Sequence, residues 1–266
     1  MSSETLDHTS VAQFIRRHGL DQYVVNYDGQ ARTWGFILVR TTSSSTWDTA
    51  IMKVKENLRF ALATTRSMEG STNTFAEDLV MSRLRFVILD DEELQDADDQ
   101  HIREYCQTWR ETFVDTAPGC IPTNVCLALE TSSLESIANC PNATVDSDTG
   151  RLTQIDDFKI YLRVIDIEYE LDEEWDAYGP CYRGWSRTTA KYLPDLWQDV
   201  QIRDFDIFAP KLEFHGQIPV YDGSLHGHLI DPPGGTSGRL RLSGEDLPDT
   251  IWGDVRRVER EERERI

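Results

Sequence analysis

The stretch Tyr178-Gly179-Pro180-Cys181-Tyr182-Arg183-Gly184-Trp185-Ser186-Arg187 interleaves aromatic rings with guanidinium groups. On an extended segment Arg183, Trp185 and Arg187 fall on one side. That ladder suits pairing with a carboxylate and cation–π contact. Arg40, which ends an apolar run, joins these three as a candidate for holding an organic anion. The competing structural reading is an aromatic core whose arginines pair, across strands, with the acidic stretch Asp166 to Asp176.

Acid/base chemistry has its own candidates. In Asp204-Phe205-Asp206-Ile207 carboxylates alternate with apolar residues, so on a strand Asp204 and Asp206 share a face, and burial would raise the pKa of either. Exposed strand carboxylates are the commoner case. Tyr221-Asp222-Gly223-Ser224 reads as a turn, with Tyr221 a proton donor if it lines a pocket. A metal alternative rests on His226-Gly227-His228, whose spacing places both imidazoles on one side of an extended segment, with His215 upstream as a third ligand. The glycine-rich setting favours isolated loop histidines, and no metal is expected. Asp90-Asp91-Glu92-Glu93 could hold magnesium at a strand end, but such charge runs are usually solvated faces. The D-D-x-x-D/E pattern is broken at Leu94.

No G-x-G-x-x-G, G-x-x-x-x-G-K-[ST] or G-x-S-x-G is present, so no cofactor is expected. Gly234-Gly235-Thr236-Ser237-Gly238 lacks the lysine of a phosphate cradle. The formal charge of −20 repels phosphate backbones and anionic lipid at long range, so neither nucleic acid nor membrane is an expected partner. A small organic molecule is, with a protein partner or a homodimer as the alternative. No apolar run approaches the roughly 20 residues of a membrane span, and His8, Arg16, Arg17 and His18 interrupt any signal-peptide core; the expectation is a cytoplasmic protein. Cys106, Cys120, Cys126, Cys140 and Cys181 are odd in number and include no C-x-x-C, as expected of free buried thiols. Without a secretion signal, the sequon at Asn142 is read as a loop.

The elements that must position these residues follow from periodicity. Trp34 to Thr42 is a near-continuous apolar run, a buried strand feeding an N-capped helix. Trp47, Ile51, Val54, Leu58 and Leu62 mark that helix's buried face. A loop over 64–75 leads to a strand from Arg83 to Leu89. A helix from Asp98 to Val114 then places Ile102, Tyr105, Cys106, Trp109 and Phe113 on one face, with Asp98 and Asp99 near the positive end of its dipole. Val125 to Leu129 is a third strand, followed by a helical turn from Ser132 to Ala138. The Asn/Pro/Asp/Ser/Gly cluster at 139–150 is the internal boundary. Beyond it, Phe158 to Tyr169 alternates as a long strand, and a phase change at Val164-Ile165 suggests a bulge. Tyr182 to Ser186 is its partner. Thr188 and Thr189 cap a helix bearing Tyr192, Leu193, Leu196, Trp197 and Val200, with Pro194 in its first turn. Phe205, Ile207 and Leu212 to Phe214 add strand.

The expected architecture is α+β: two ferredoxin-like, dimeric α/β-barrel-like halves fused in one chain, each an antiparallel sheet with helices on one face. Residues 1–30 form an arm, 31–140 the first half, 151–254 the second, and 255–266 a charged helical tail of alternating Arg and Glu. The segments Trp34-Gly35-Phe36-Ile37-Leu38-Val39-Arg40-Thr41, Arg85 to Asp90, Gly184-Trp185-Ser186 with Leu196-Trp197, and Phe208-Ala209-Pro210 with Val220-Tyr221-Asp222-Gly223 resemble a widespread group of uncharacterised proteins from filamentous fungi. The resemblance spans Trp34 to Gly223. It implies a fungal intracellular origin and a place in specialised-metabolite pathways, and it assigns no catalytic residue. The expected function is binding of a small molecule with cofactor-independent acid/base cyclisation or isomerisation. The alternatives are a noncatalytic acidic interaction module and a histidine-site metalloenzyme.

Overall fold

The run Trp34–Arg40 is strand β1, buried along nearly its whole length because both faces of the sheet are covered. The computed structural model describes residues 33–68, 75–113, 121–140, 161–170, 182–214, 216–224 and 226–234. The arm at 1–30 and the tail at 255–266 lie outside these residues. After β1 come α1 (Trp47–Met68), α2 (Phe75–Arg83), β2 (Leu84–Leu89), a single 3₁₀ turn at Glu92–Leu94, α3 (Asp99–Phe113), β3 (Val125–Leu129) and α4 (Thr131–Ala138). The second half of the chain adds β4 (Leu162–Asp166), β5 (Trp185–Thr188), a 3₁₀ turn at Ala190–Tyr192, α5 (Leu193–Ile202), α6 (Phe205–Phe208), β6 (Ile218–Val220) and β7 (His228–Ile230).

All these strands belong to one seven-stranded sheet in the order β2-β1-β3-β4-β5-β6-β7. The mixture of helices and strands agrees with an α+β chain. The pairing differs from fused ferredoxin-like halves. β1 runs parallel to β2 and β3, and β3 pairs antiparallel with β4, joining the two halves of the chain in one sheet. Helices cover both faces. Trp34, Phe36 and Leu38 of β1 pack with α1, α4 and α5, whereas Ile37 and Val39 pack with Ile102 and Cys106 of α3. Continuous apolar strands are the signature of such two-sided burial.

The same physics accounts for β4. Its register runs unbroken through Val164 and Ile165 against both neighbours, so the apparent phase change marks a strand buried on two faces and not a bulge. Phe205 and Ile207 lie in a helical turn instead of a strand; Phe205 and Phe208 are buried, with rings packed edge to face. β5 and β6 share a single register pair, Arg187 with Val220. Two fully buried hydroxyls reinforce that seam: Ser186 donates to the Pro219 carbonyl and Thr188 to the Tyr221 carbonyl. The pairings make β1, β2, β3, β5 and β6 point the same way, with β4 and β7 opposed. The carboxyl ends of the first five therefore line one edge of the sheet.

Candidate anion-binding site

In an open sheet with parallel strands, ligands bind beyond the carboxyl ends, where successive connections leave in opposite directions. Here that point lies between β1 and β3: the connection from β1 crosses to β2 on one side, and β3 leads to β4 on the other. Arg40 ends β1, but its guanidinium is engaged locally. It donates to the carbonyls of Thr42 (3.1 Å) and Ser44 (3.5 Å) and stacks on Trp47, holding the loop into α1. Thr41 donates to the Leu129 carbonyl, tying the ends of β1 and β3 together.

Beside this point β4 and β5 place two arginines directly opposite each other. Arg163 is in register with Arg187, and Ile165 with Trp185, all on the face toward α3. Arg163 has two charge partners: Asp99 at 2.6 Å from the start of α3 and Glu130 at 3.4 Å from the end of β3. It also lies 4.4 Å above the Trp185 ring. Burial holds the Asp99 carboxyl above its usual range, against the pull of Arg163 and Arg103. Arg187 is treated differently. Its guanidinium sits 3.6 Å above the Tyr161 ring and has no carboxylate partner among the described residues. The Tyr161 hydroxyl meets the Ser132 hydroxyl at 3.0 Å and donates to Glu130 at 3.4 Å, while Ser132 donates to the same carboxylate at 3.0 Å.

Of the residues singled out from sequence, Trp185 and Arg187 meet at this cluster. Arg183 precedes β5 and is half-buried; its carbonyl accepts from the buried Arg103. Arg103 also donates to the carbonyls of Asp166 and Gly184. Tyr182 donates to Asp166 at 2.8 Å, a buried pair in which desolvation raises both groups. Among the described residues, pairing with the acidic stretch is seen at Glu168, held by Arg110 at 2.8 Å.

Tyr221 lies across the sheet, fully buried beside α5 and donating to Asp199 at 2.7 Å. Burial, then Asp199, push its phenol far above the usual range, so it remains a proton donor. Asp199 also takes Arg203. One helical turn earlier, burial and then the Asp199 charge push the Asp195 carboxyl up to about 6. Asp204 and Asp206 are exposed and flank or enter the α6 turn, where residues two apart do not share a face.

His228 in β7 meets Asp222 at 3.0 Å. Burial pulls that carboxyl up, but Ser224 and His228 outweigh it and hold Asp222 below its usual range. His226 is exposed, and His215 lies outside the described residues. Among the described residues no three His, Cys, Asp or Glu side chains gather as a metal would need. Asp90, Asp91, Glu92 and Glu93 are all exposed at the end of β2. Cys106 and Cys126 are free and buried, and Cys140 is buried; Cys120 and Cys181 fall outside the described residues.

Sequence reasoning missed Asp99 as an arginine partner, along with Glu130, Ser132, Tyr161 and Arg163. One signal was available: Arg163 is a charge inside an otherwise apolar strand, which demands a partner. No family model, curated protein or solved structure matches the chain.

Proposed function

We propose that this chain binds a small organic anion, a carboxylate, at Arg187, and performs cofactor-independent acid/base chemistry on it such as cyclisation or isomerisation. The carrying observation is the cross-strand pair Arg163–Arg187. Like charges directly opposite on a sheet are destabilising, and among the described residues only Arg163 of the two is neutralised by neighbouring carboxylates. A ligand carboxylate on Arg187 completes the charge pattern, and the flat Tyr161 and Trp185 rings beneath the two guanidinium groups hold them in place. The resemblance to fungal proteins supports a role in specialised metabolism in the cytoplasm. Among the described residues no helix is long and apolar enough to cross a membrane.

Native mass spectrometry of the protein isolated from its host is the test. Wild type is expected to retain an organic acid, and Arg187→Ala to lose it, with affinity for the identified acid falling about 10- to 100-fold, the value of a charge-assisted hydrogen bond. Removing one of two opposed cations leaves the ligand-free melting temperature unchanged or higher. Equal retention by the variant, or a markedly lower melting temperature, refutes the assignment.

A second reading, a protein-interaction module, is favoured by one surface. Trp47, Ile51 and Met52 of α1 face Met81 of α2 and Ile88 of the edge strand β2 across a groove bordered by Lys55, Arg59, Asp48 and Asp78. Met52 and Ile88 are about half exposed, at 52% and 46%. A basic partner retained at low salt and released at high salt would support this reading, because exposed charge attraction is screened within about 10 Å at 0.1 M.

A further inference from the structure

The hydroxyl end of Tyr161 carries a second arrangement that anion binding alone does not use. Glu130 occupies the N-cap position of α4 in an extended conformation, yet its side chain makes no cap hydrogen bond to the helix. Its carboxylate instead accepts from Ser132 Oγ at 3.0 Å and from Tyr161 Oη at 3.4 Å through Oε1, and meets Arg163 at 3.4 Å through Oε2. Arg163 is itself fixed by Asp99 at 2.6 Å. Ser132 is exposed, the second residue of α4, with Tyr161 Oη 3.0 Å from its oxygen. A hydroxyl within reach of a base, with the base oriented by a third group, is the geometry of an activated nucleophile. The leading N–H groups of α4 receive no side-chain cap from Glu130.

We propose that Ser132 is a nucleophile, with Glu130 its general base and Tyr161 its proton donor, acting on an ester that also carries a free carboxylate. The substrate class rests on the Arg187 reading above: Arg187 lies over the same Tyr161 ring whose hydroxyl touches Ser132, so a carboxylate held there presents a neighbouring ester to the serine. Ser132 Oγ bonds to the ester carbonyl carbon as its proton passes to Glu130. Collapse breaks the bond to the alcohol oxygen, which takes a proton from Tyr161, and Tyr161 recovers one from Glu130. Water then attacks the acyl-serine, giving one proton to Glu130; Ser132 leaves with a proton, and the acid is released. The net reaction is ester plus water to acid plus alcohol. Arg163 is a positioning residue, because it holds Glu130 and not the substrate.

The full chain treated with an alkyl fluorophosphonate tests the nucleophile, since Oγ displaces fluoride and leaves a stable adduct. The expected result is one adduct per chain, mapped to Ser132, absent in Ser132→Ala and formed at least 10-fold more slowly in Glu130→Gln. Ser132 is exposed, and equal melting temperatures verify that the variants fold. No adduct, or an adduct that survives Ser132→Ala, overturns the proposal. Hydrolysis of 4-nitrophenyl acetate and of a 4-nitrophenyl hemiester of succinate tests the class: the hemiester should be preferred, and Arg187→Ala should remove that preference. Labelling at Ser132 without hemiester preference overturns the carboxylate class and the Arg187 reading together, leaving the nucleophile standing.

Discussion

Placing a single methyl group on Gly35 will prevent the protein from accumulating in folded form. Gly35 lies in β1 at φ +144°, in register with Arg85 of β2, and a Cβ there would fall 1.7 Å from the Arg85 carbonyl oxygen. Two costs coincide. The backbone conformation is one that residues with a side chain rarely adopt, and the obstructing atom is main chain, which no rotamer change can move aside. The neighbouring Trp34 ring is fully buried and donates to the Val80 carbonyl at 2.8 Å, so β1 cannot shift without breaking its tie to α2. Strain of this kind belongs to the class of substitutions that cost about 4 kcal/mol or more, a large share of the 5–15 kcal/mol typical of a domain. Gly35→Ala is expected to appear as insoluble or unfolded protein by circular dichroism. A soluble variant with wild-type melting temperature would show that β1 and β2 do not approach as described.

Replacing Asp195 by asparagine is expected to stabilise the protein at neutral pH and to leave it unchanged near pH 4. Burial and the Asp199 charge, opposed by Lys191, lift the Asp195 carboxyl from 3.8 to about 6 in the folded protein. Asp199 and Asp195 lie on α5, Lys191 and Tyr192 on the preceding turn, and Tyr221 and Gly223 close over them from the end of β6. Between these two pKa values the folded state holds the proton more firmly than the unfolded state, so stability falls as pH rises from about 4 to about 6. Above that window the full penalty is present, roughly 2–3 kcal/mol for a shift of this size. Asparagine carries no charge and escapes it. Urea unfolding of both proteins should diverge across this interval, with the variant the more stable at pH 7. A stability difference independent of pH would mean that Asp195 ionises freely in the fold.

Much of the frame was legible in the residues. The apolar run of β1 and the spacing of Trp47, Ile51, Val54, Leu58 and Leu62 are local patterns, and so is the face of α3 bearing Ile102 and Cys106; each lies where its periodicity placed it. Local pattern also placed Pro194 in the first turn of α5. Strand direction was not legible: a strand buried on both faces looks equally apolar whether its neighbours run parallel or antiparallel. That is why the expected antiparallel halves gave way to a parallel β2-β1-β3 core with helices on both faces.

The candidate site divides in the same way. Sequence alternation put Trp185 and Arg187 on one face, a consequence of strand geometry alone. It could not say that Arg163 stands opposite Arg187, because cross-strand register depends on how segments far apart in the chain align. Nor could it gather Asp99, Glu130, Ser132 and Tyr161, which come from three separate segments and meet at the edge where the parallel β2 and β3 end and the antiparallel β4 begins. Residue chemistry and local periodicity determined which groups were available. The pairing of distant strands decided which of them touch, since contacts between remote segments are selected by the burial of whole faces and not by any neighbour in sequence.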